Sequence, residues 1–535
     1  MVRLLAGKGF YFTFLFLTLT IVLSFQNCGK YKSADNRNSS DNNTFGDHLA
    51  FKRLSNSEID RSLRDFFGET TNPAFRLLPA DVVAPYDNDV DSHTTSTPLI
   101  EGIERLAQDV SSRLLADQAR RNSKLSCRGS SASDRSCMSR IVSQLSLQLF
   151  RRKEAPELIS QWTDLALSQA ASSGSFESGV DFALRFFLSH PKFIYRFENF
   201  TDAGDLDFII AERMAFLIWG SSPSVSLLEE AEKNILHTRE QVQDRARTML
   251  EDPRAVDRAK QFHAEWLAYE NLGHEASLAS SLKSEADSIV QKIVFTDKKP
   301  WEQIFEITES LMDDNVAAVY GLSQTGNASW RTLPAGRRGI LSTGAYLSAG
   351  AKFGDTSPTQ RGKFVKNRLL CQEIPSPPPT IDVDQPPKPP ENGPNCKKIR
   401  YQAHAASNTS CFSCHNHMDP IGFGLEQYDF SGRFRTFEKN GDGTDNTSCP
   451  IDGQGSLVGH GDFNGPVVLS DLVSKSGRLQ SCMAMQYFHF AFGLKSASKD
   501  AAFIELLARK ITSQGTFQDF VLEFVGDSNF RLGAP

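Results

Sequence analysis

The chain has 535 residues, 40% of them hydrophobic, and a formal net charge of −6. That length calls for several domains rather than one core. The balance is slightly acidic, and nothing in the sequence suggests the clustered basic footprint of a nucleic-acid binder.

The first residues read as an export signal. Arg3 and Lys8 give a basic start, Phe10–Phe25 is almost wholly apolar or hydroxylic, and Cys28 follows at once. The apolar run falls short of the about 20 residues a transmembrane helix needs. A cysteine at the end of such a run suggests bacterial lipoprotein processing, with lipid on Cys28 and cleavage before it. Leu23 fits that pattern, whereas Asn27 stands where a small residue is usual. An uncleaved anchor or a plain secretory signal are the other readings. Each of them leads to an exported protein, and the lipid reading holds it at the bacterial cell envelope, on the outer membrane. No later segment has the length and apolarity of a membrane span. Residues 29–48 are polar and read as a flexible tether.

Helical periodicity then dominates. Leu54, Ile59, Leu63, Phe66 and Phe67 share one face of a segment spanning Phe51–Gly68, and Ser55 with Glu58 reads as a capping box. Further helices are expected at Leu99–Ala119, Cys137–Phe150, Ala155–Ala170 and Gly179–Phe187, then at Asp207–Trp219, Thr238–Leu250 and Pro253–Tyr269. Period-2 alternation is scarce, so the fold class is mainly α: a multi-domain helical array. After about Gly321 the composition turns to Gly and Ser, and Pro375–Pro394 forms a proline tract that neither a helix nor a central strand tolerates. Phe437–Gly465 reads as loop, including Asn440–Asp445, which lacks the acidic spacing of a calcium site. Helices are expected again at Leu469–Phe492 and Lys499–Ile511, with a short apolar stretch at Phe517–Val525. The expected segments are 1–28 (signal), 29–48 (tether), 49–120, 121–200 and 201–330 (helical), 331–462 (loop- and Pro-rich) and 463–535 (helical).

Cys411-Phe412-Ser413-Cys414-His415 is the chain's most informative motif. Two thiols three positions apart can form thioethers to the two vinyl groups of one porphyrin, and the next histidine presents an imidazole to the iron. The same spacing also fits a redox dithiol, half of a zinc site, or ordinary disulfide cysteines. On the haem c reading, His415 is the proximal ligand. Met418 is close in sequence, but three residues beyond the proximal histidine keeps it on the same side of the ring. Met485, with Met483, lies about 70 residues downstream on an expected helix and is a candidate distal thioether. His404, His417, His460 and His489 are candidate imidazoles. Arg433 and Arg435 flank Phe434 and could point one way from extended chain, toward anionic propionates. Zinc would need two more ligands, such as His404 with His415 or His417.

Of the other cysteines, Cys127 and Cys137 bracket a Ser/Gly/Asp-rich loop and are expected to pair. Cys371, Cys396, Cys449 and Cys482 allow three connectivities. No Walker loop, GxSxG elbow or HExxH motif is present, so hydrolase and kinase readings have no residue to rest on.

The stretch from Cys411 through Pro420-Ile-Gly-Phe-Gly-Leu-Glu426, with Tyr428-Asp429 and Gly432–Arg435, resembles the planctomycete-type cytochrome family, exported proteins built from a fixed set of domains of unknown function. The likeness extends to Phe51–Gly68, Leu149–Arg152, Phe187–Phe193, Arg213–Gly220, Arg247–Ala255 and Trp266-Leu267. It continues through Arg338–Leu341, Thr356–Pro358, Arg361–Lys363 and Leu469–Phe530. It implies a predominantly helical fold and a c-type haem, without implying a reaction. The expected function is therefore that of an exported, lipid-anchored, mono-haem cytochrome-like protein passing electrons to an unidentified redox partner. The alternative is a non-redox scaffold or binding module whose CxxCH is a disulfide or zinc staple. No catalytic residue can be named; if the chain is an enzyme, it is a haem-dependent oxidoreductase.

Overall fold

The computed structural model describes residues 51–198, 206–352, 354–375, 377, 387–388, 394–407, 409, 411–511 and 514–533. The export signal, the tether with Cys28, and most of the proline tract lie outside the described residues. The chain is mainly α, and its few strands are short. It packs as two compact units. The first takes the described residues up to Val82, Val90–Val242 and those from Gly526; the second takes Val83–Asp89 and Gln243–Val525.

The first unit opens with a short strand, β1 (Phe51–Arg53), that pairs antiparallel with β2 (Tyr195–Phe197). Helix α1 (Asn56–Phe67) follows. Ser55 Oγ accepts from the backbone N–H of Glu58 at 3.2 Å, and Glu58 Oε2 accepts from that of Ser55 at 3.0 Å. Such a reciprocal cap contributes about 1 kcal/mol. Helices α2 (Thr97–Ala116), α3 (Arg135–Phe150), α4 (Pro156–Ser173) and α5 (Phe176–Ser189) then layer together, with Ile59, Leu63, Leu106, Met138, Leu145, Leu184 and Phe187 in one buried cluster. The Cys127–Cys137 disulfide closes the loop into α3. Helix α6 (Leu206–Ile218) is buried on every face, matching its nearly continuous apolar sequence.

A buried ionic network runs through this core. Arg151 pairs with Glu212 at 3.0 Å and donates to the carbonyls of Phe193 and Tyr195. Glu198 takes Arg196 at 2.7 Å and Arg213 at 2.8 Å. Buried charges persist only when paired and hydrogen-bonded in this way, and breaking such a pair costs about 3–5 kcal/mol.

In the second unit, α7 (Pro253–Trp266) and α8 (Ala276–Gln291) precede the antiparallel pair β3 (Glu309–Met312) and β4 (Ser329–Thr332). Glu285, on α8, is fully enclosed and accepts from Tyr320 at 2.7 Å and Ser310 at 2.7 Å. Burial pushes its carboxyl up to about 7 against those two hydrogen bonds. Next come α9 (Pro358–Phe364), α10 (Lys397–His404), α11 (Phe412–Phe423) and two hairpins, β5 (Phe437–Lys439) with β6 (Asp445–Pro450) and β7 (Gln454–Leu457) with β8 (Gly461–Asn464). Helices α12 (Gly465–Lys475), α13 (Leu479–Phe492), α14 (Ala501–Lys510) and α15 (Phe517–Gly526) follow. Tyr487 stacks edge-on against Phe262, Phe517, Phe520 and Phe524, which ties α7, α13 and α15 together. Of the connectivities left open by the sequence, the structure has Cys371–Cys482 and Cys396–Cys449.

Three local expectations change. Phe51–Arg53 is a strand rather than the start of a helix, because β2 supplies a partner that is distant in sequence. The segment 437–465 carries two hairpins; their strands are three to six residues long and mostly polar, so little alternation marks them. Asn440–Thr444 is the turn of the first hairpin. The helix expected across Leu469–Phe492 is interrupted after Lys475, where Gly477 takes a φ of +69°. Pro420 lies inside α11.

Candidate functional site

The CxxCH motif forms the start of α11. Cys411 stands at the N-cap position and Cys414 and His415 fall in the first turn, so a three-residue separation places both sulfurs one turn apart. Both are free thiols, partly exposed. His415 Nδ1 lies 3.0 Å from Asp419 Oδ2, one turn further along. A carboxylate accepts only, so Nδ1 carries the proton and Nε2 keeps the lone pair a metal needs. Asp419 is itself held: its Oδ1 accepts from Thr359 Oγ1 of α9 at 2.7 Å.

His415 lines a cavity of about 440 Å³ together with Tyr401, Pro420, Phe423, Lys398 and Gln454. That volume is in the range of cofactor and ligand pockets. The His404 ring, at the end of α10, stands edge-on to that of His415 with centroids 4.8 Å apart. Burial, and then the neighbouring His415, lower the His404 pKa.

Two features fix α11 against α9. A Cβ on Gly362 would fall 1.9 Å from the carbonyl oxygen of Met418, and one on Gly422 would fall 1.9 Å from that of Pro358. The two backbones therefore touch, which only glycine permits at both places. Behind them sits Glu426, enclosed and bonded to Arg361 at 3.0 Å, Lys397 at 3.1 Å, Arg435 at 3.0 Å and the Thr356 hydroxyl at 2.6 Å. Burial raises its pKa, but Lys397, Arg361 and Arg435 together outweigh that and hold it below the ordinary value. Arg361 also donates to the carbonyls of Leu347, Leu425 and Tyr428. The Cys396–Cys449 disulfide holds the start of α10 to β6.

The structure brings together Cys411, Cys414 and His415, and leaves other candidates apart from them. Met418 is buried on α11 where that helix meets α9. Met485 lines a different cavity, and Met483 is fully buried in α13. Arg433 is exposed, while the Arg435 guanidinium is turned inward to Glu426 and Thr356. The two arginines therefore do not share a direction, because one carries the charge a buried carboxylate requires. His489 is bonded to Asp89 at 2.7 Å. Among the described residues no group of three or more His, Cys, Asp and Glu side chains is arranged to hold a metal ion. Two free thiols and an imidazole with its Nδ1 engaged are the donor set that covalent haem requires, and these residues fit it.

Sequence reasoning missed Asp419, Thr359, Arg361 and Lys397. Asp419 stands four residues after His415, the spacing of a same-face helical pair, but the signal exists only once Pro420 is accepted inside the helix. Thr359, Arg361 and Lys397 reach the site across gaps in sequence that no local pattern bridges.

Three family models match the chain. One described as PSD3, protein of unknown function (DUF1587), matches residues 52–116. One described as PSD4, protein of unknown function (DUF1592), matches 206–322. One described as PSCyt3, protein of unknown function (DUF1588), matches 337–438, a span that contains Cys411–His415. No curated protein and no solved structure matches the chain.

Proposed function

The chain carries the domain cassette of the planctomycete-type cytochrome family, and from that premise we propose that it is an exported, mono-haem c-type electron carrier of the bacterial envelope. Cys411 and Cys414 hold the haem through thioethers, and His415 ligates iron through Nε2. The observation that carries this reading is the 3.0 Å contact of His415 Nδ1 with Asp419, beside two free thiols. A disulfide staple has no use for an imidazole oriented in that way, and among the described residues no third and fourth ligand stands by to close a zinc site. Bound there, haem supplies a one-electron couple. Asp419 holds the ring's tautomer and increases its donor strength, and Thr359 fixes Asp419. The α9–α11 backbone contact and the Glu426 cluster keep the ligand helix in place. Lipid on Cys28 tethers the molecule, through the polar segment 29–48, on the outer membrane. The redox partner docks by the partly exposed Cys411–Cys414 edge.

Expression in a host that matures c-type cytochromes, followed by a peroxidase stain of the denatured protein, tests this. A stain retained through denaturation and absent from Cys411→Ala/Cys414→Ala is the expected result. A colourless protein would overturn the proposal and turn attention to a binding or scaffold role.

A further inference from the structure

The second unit holds a second cavity, of about 400 Å³, whose chemistry the haem proposal does not use. Arg368 stands in its wall, half-buried. One end of its guanidinium is anchored on the main-chain oxygens of Glu265 at 3.3 Å and Trp266 at 3.5 Å. Trp266 Nε1 donates back to the Arg368 carbonyl at 2.6 Å. Among the described residues no carboxylate is paired with this guanidinium. The buried Glu265, whose main-chain oxygen anchors the guanidinium, has its carboxyl pushed well above the ordinary value by burial first and then by Asp87. An arginine keeps its own charge in such a place.

Of the rest of the lining, which includes the exposed carboxylate of Glu373, three features suit one ligand class. Lys495 adds a second cation, and its contact with Glu373 at 3.3 Å involves two side chains 73% and 82% exposed, a pair that a ligand can replace at little cost. The Asn367 amide contributes a donor, since its oxygen is already taken by the Ile374 N–H at 3.2 Å. Pro85 and Met485 give the cavity an apolar side. A planar guanidinium pairs with a carboxylate or a phosphate alike, and the apolar wall beside the cations selects the anion that carries a hydrocarbon body.

We propose that this cavity binds a small organic carboxylate, its oxygens on Arg368 and Lys495 and its hydrocarbon body against Pro85 and Met485. The site stands independently of the haem. Calorimetric titration of the full chain with butyrate, and separately with inorganic phosphate, tests it. The expected result is saturable butyrate binding, weakened at least about tenfold by Arg368→Gln, the loss of a charge-assisted hydrogen bond, and about threefold by Lys495→Gln. Lys495 is exposed, so Lys495→Gln melts like the parent protein and decides the matter if Arg368→Gln fails to fold. Absence of saturable binding up to about 10 mM butyrate would overturn the proposal. So would binding that Lys495→Gln leaves unchanged, or phosphate bound more tightly than butyrate.

Discussion

His415 Nδ1 and Asp419 Oδ2 lie 3.0 Å apart on successive turns of α11, and the Thr359 hydroxyl holds the other carboxylate oxygen at 2.7 Å. The relay crosses from α11 to α9, so the orientation of the imidazole depends on the packing of the two helices as well as on its own rotamer.

On the proposed haem reading, Asp419 would control how strongly His415 donates to iron. A carboxylate on Nδ1–H makes the imidazole more basic and favours the ferric state. Asp419→Asn is expected to raise the midpoint potential by on the order of 50 mV, as a roughly tenfold shift in relative affinity implies for one electron. Spectroelectrochemical titration reads this, with covalent haem content unchanged.

The contact between α9 and α11 leaves no room for a methyl group. Gly362→Ala puts a Cβ within 1.9 Å of a main-chain oxygen, and the backbone there cannot yield as a side chain would. The loss is expected to be about 3 kcal/mol, the upper end of overpacking costs. Urea unfolding measures it. Ser498→Ala, in the turn before α14, serves as a control with little effect.

Glu426 gives stability with a defined pH range. Its folded pKa lies below the ordinary 4.5, because Lys397, Arg361 and Arg435 outweigh burial. The stabilisation is therefore present above the unfolded value and lost as pH falls through the folded one. Glu426→Gln is expected to cost about 3–5 kcal/mol at pH 7, since three buried cations lose their partner. The gap between variant and parent narrows as pH falls below the ordinary glutamate range and closes once it passes the lowered folded value, where the parent carboxyl is protonated too. Denaturant melts across that range test the closing gap.

Glu285 behaves in the opposite sense. Its carboxyl is raised from 4.5 to about 7, chiefly by burial. The unfolded chain loses its proton first, so stability declines between about pH 4.5 and 7 and levels off above. The shift corresponds to on the order of 3 kcal/mol. Glu285→Gln removes that decline. Urea midpoints at pH 5 and pH 7.5, compared between the two proteins, check it.

Much of the fold was legible in the sequence where apolar residues recur at helical spacing. Ser55 and Glu58 marked the start of α1, and the Leu99–Ala119 pattern found α2 to within a few residues. The hairpins after Phe437 were not legible, because their strands are short, polar and held by turns and the Cys396–Cys449 bond. At the site, the thiols and imidazole announced themselves through spacing. Arg435 did not: its alternation with Arg433 was real, yet the buried charge of Glu426, nine residues earlier, decides where its guanidinium goes. Such long-range pairings are set by which side chains the fold encloses, and a single chain's local pattern does not record that.

The most direct test of the central claim is the mass of the proteolytic peptide containing Cys411–His415, isolated from the exported protein. A peptide heavier by one haem, with no thiol left to alkylate at Cys411 or Cys414, is the predicted result. A peptide of unmodified mass, whose two cysteines alkylate freely or only after reduction, would contradict it.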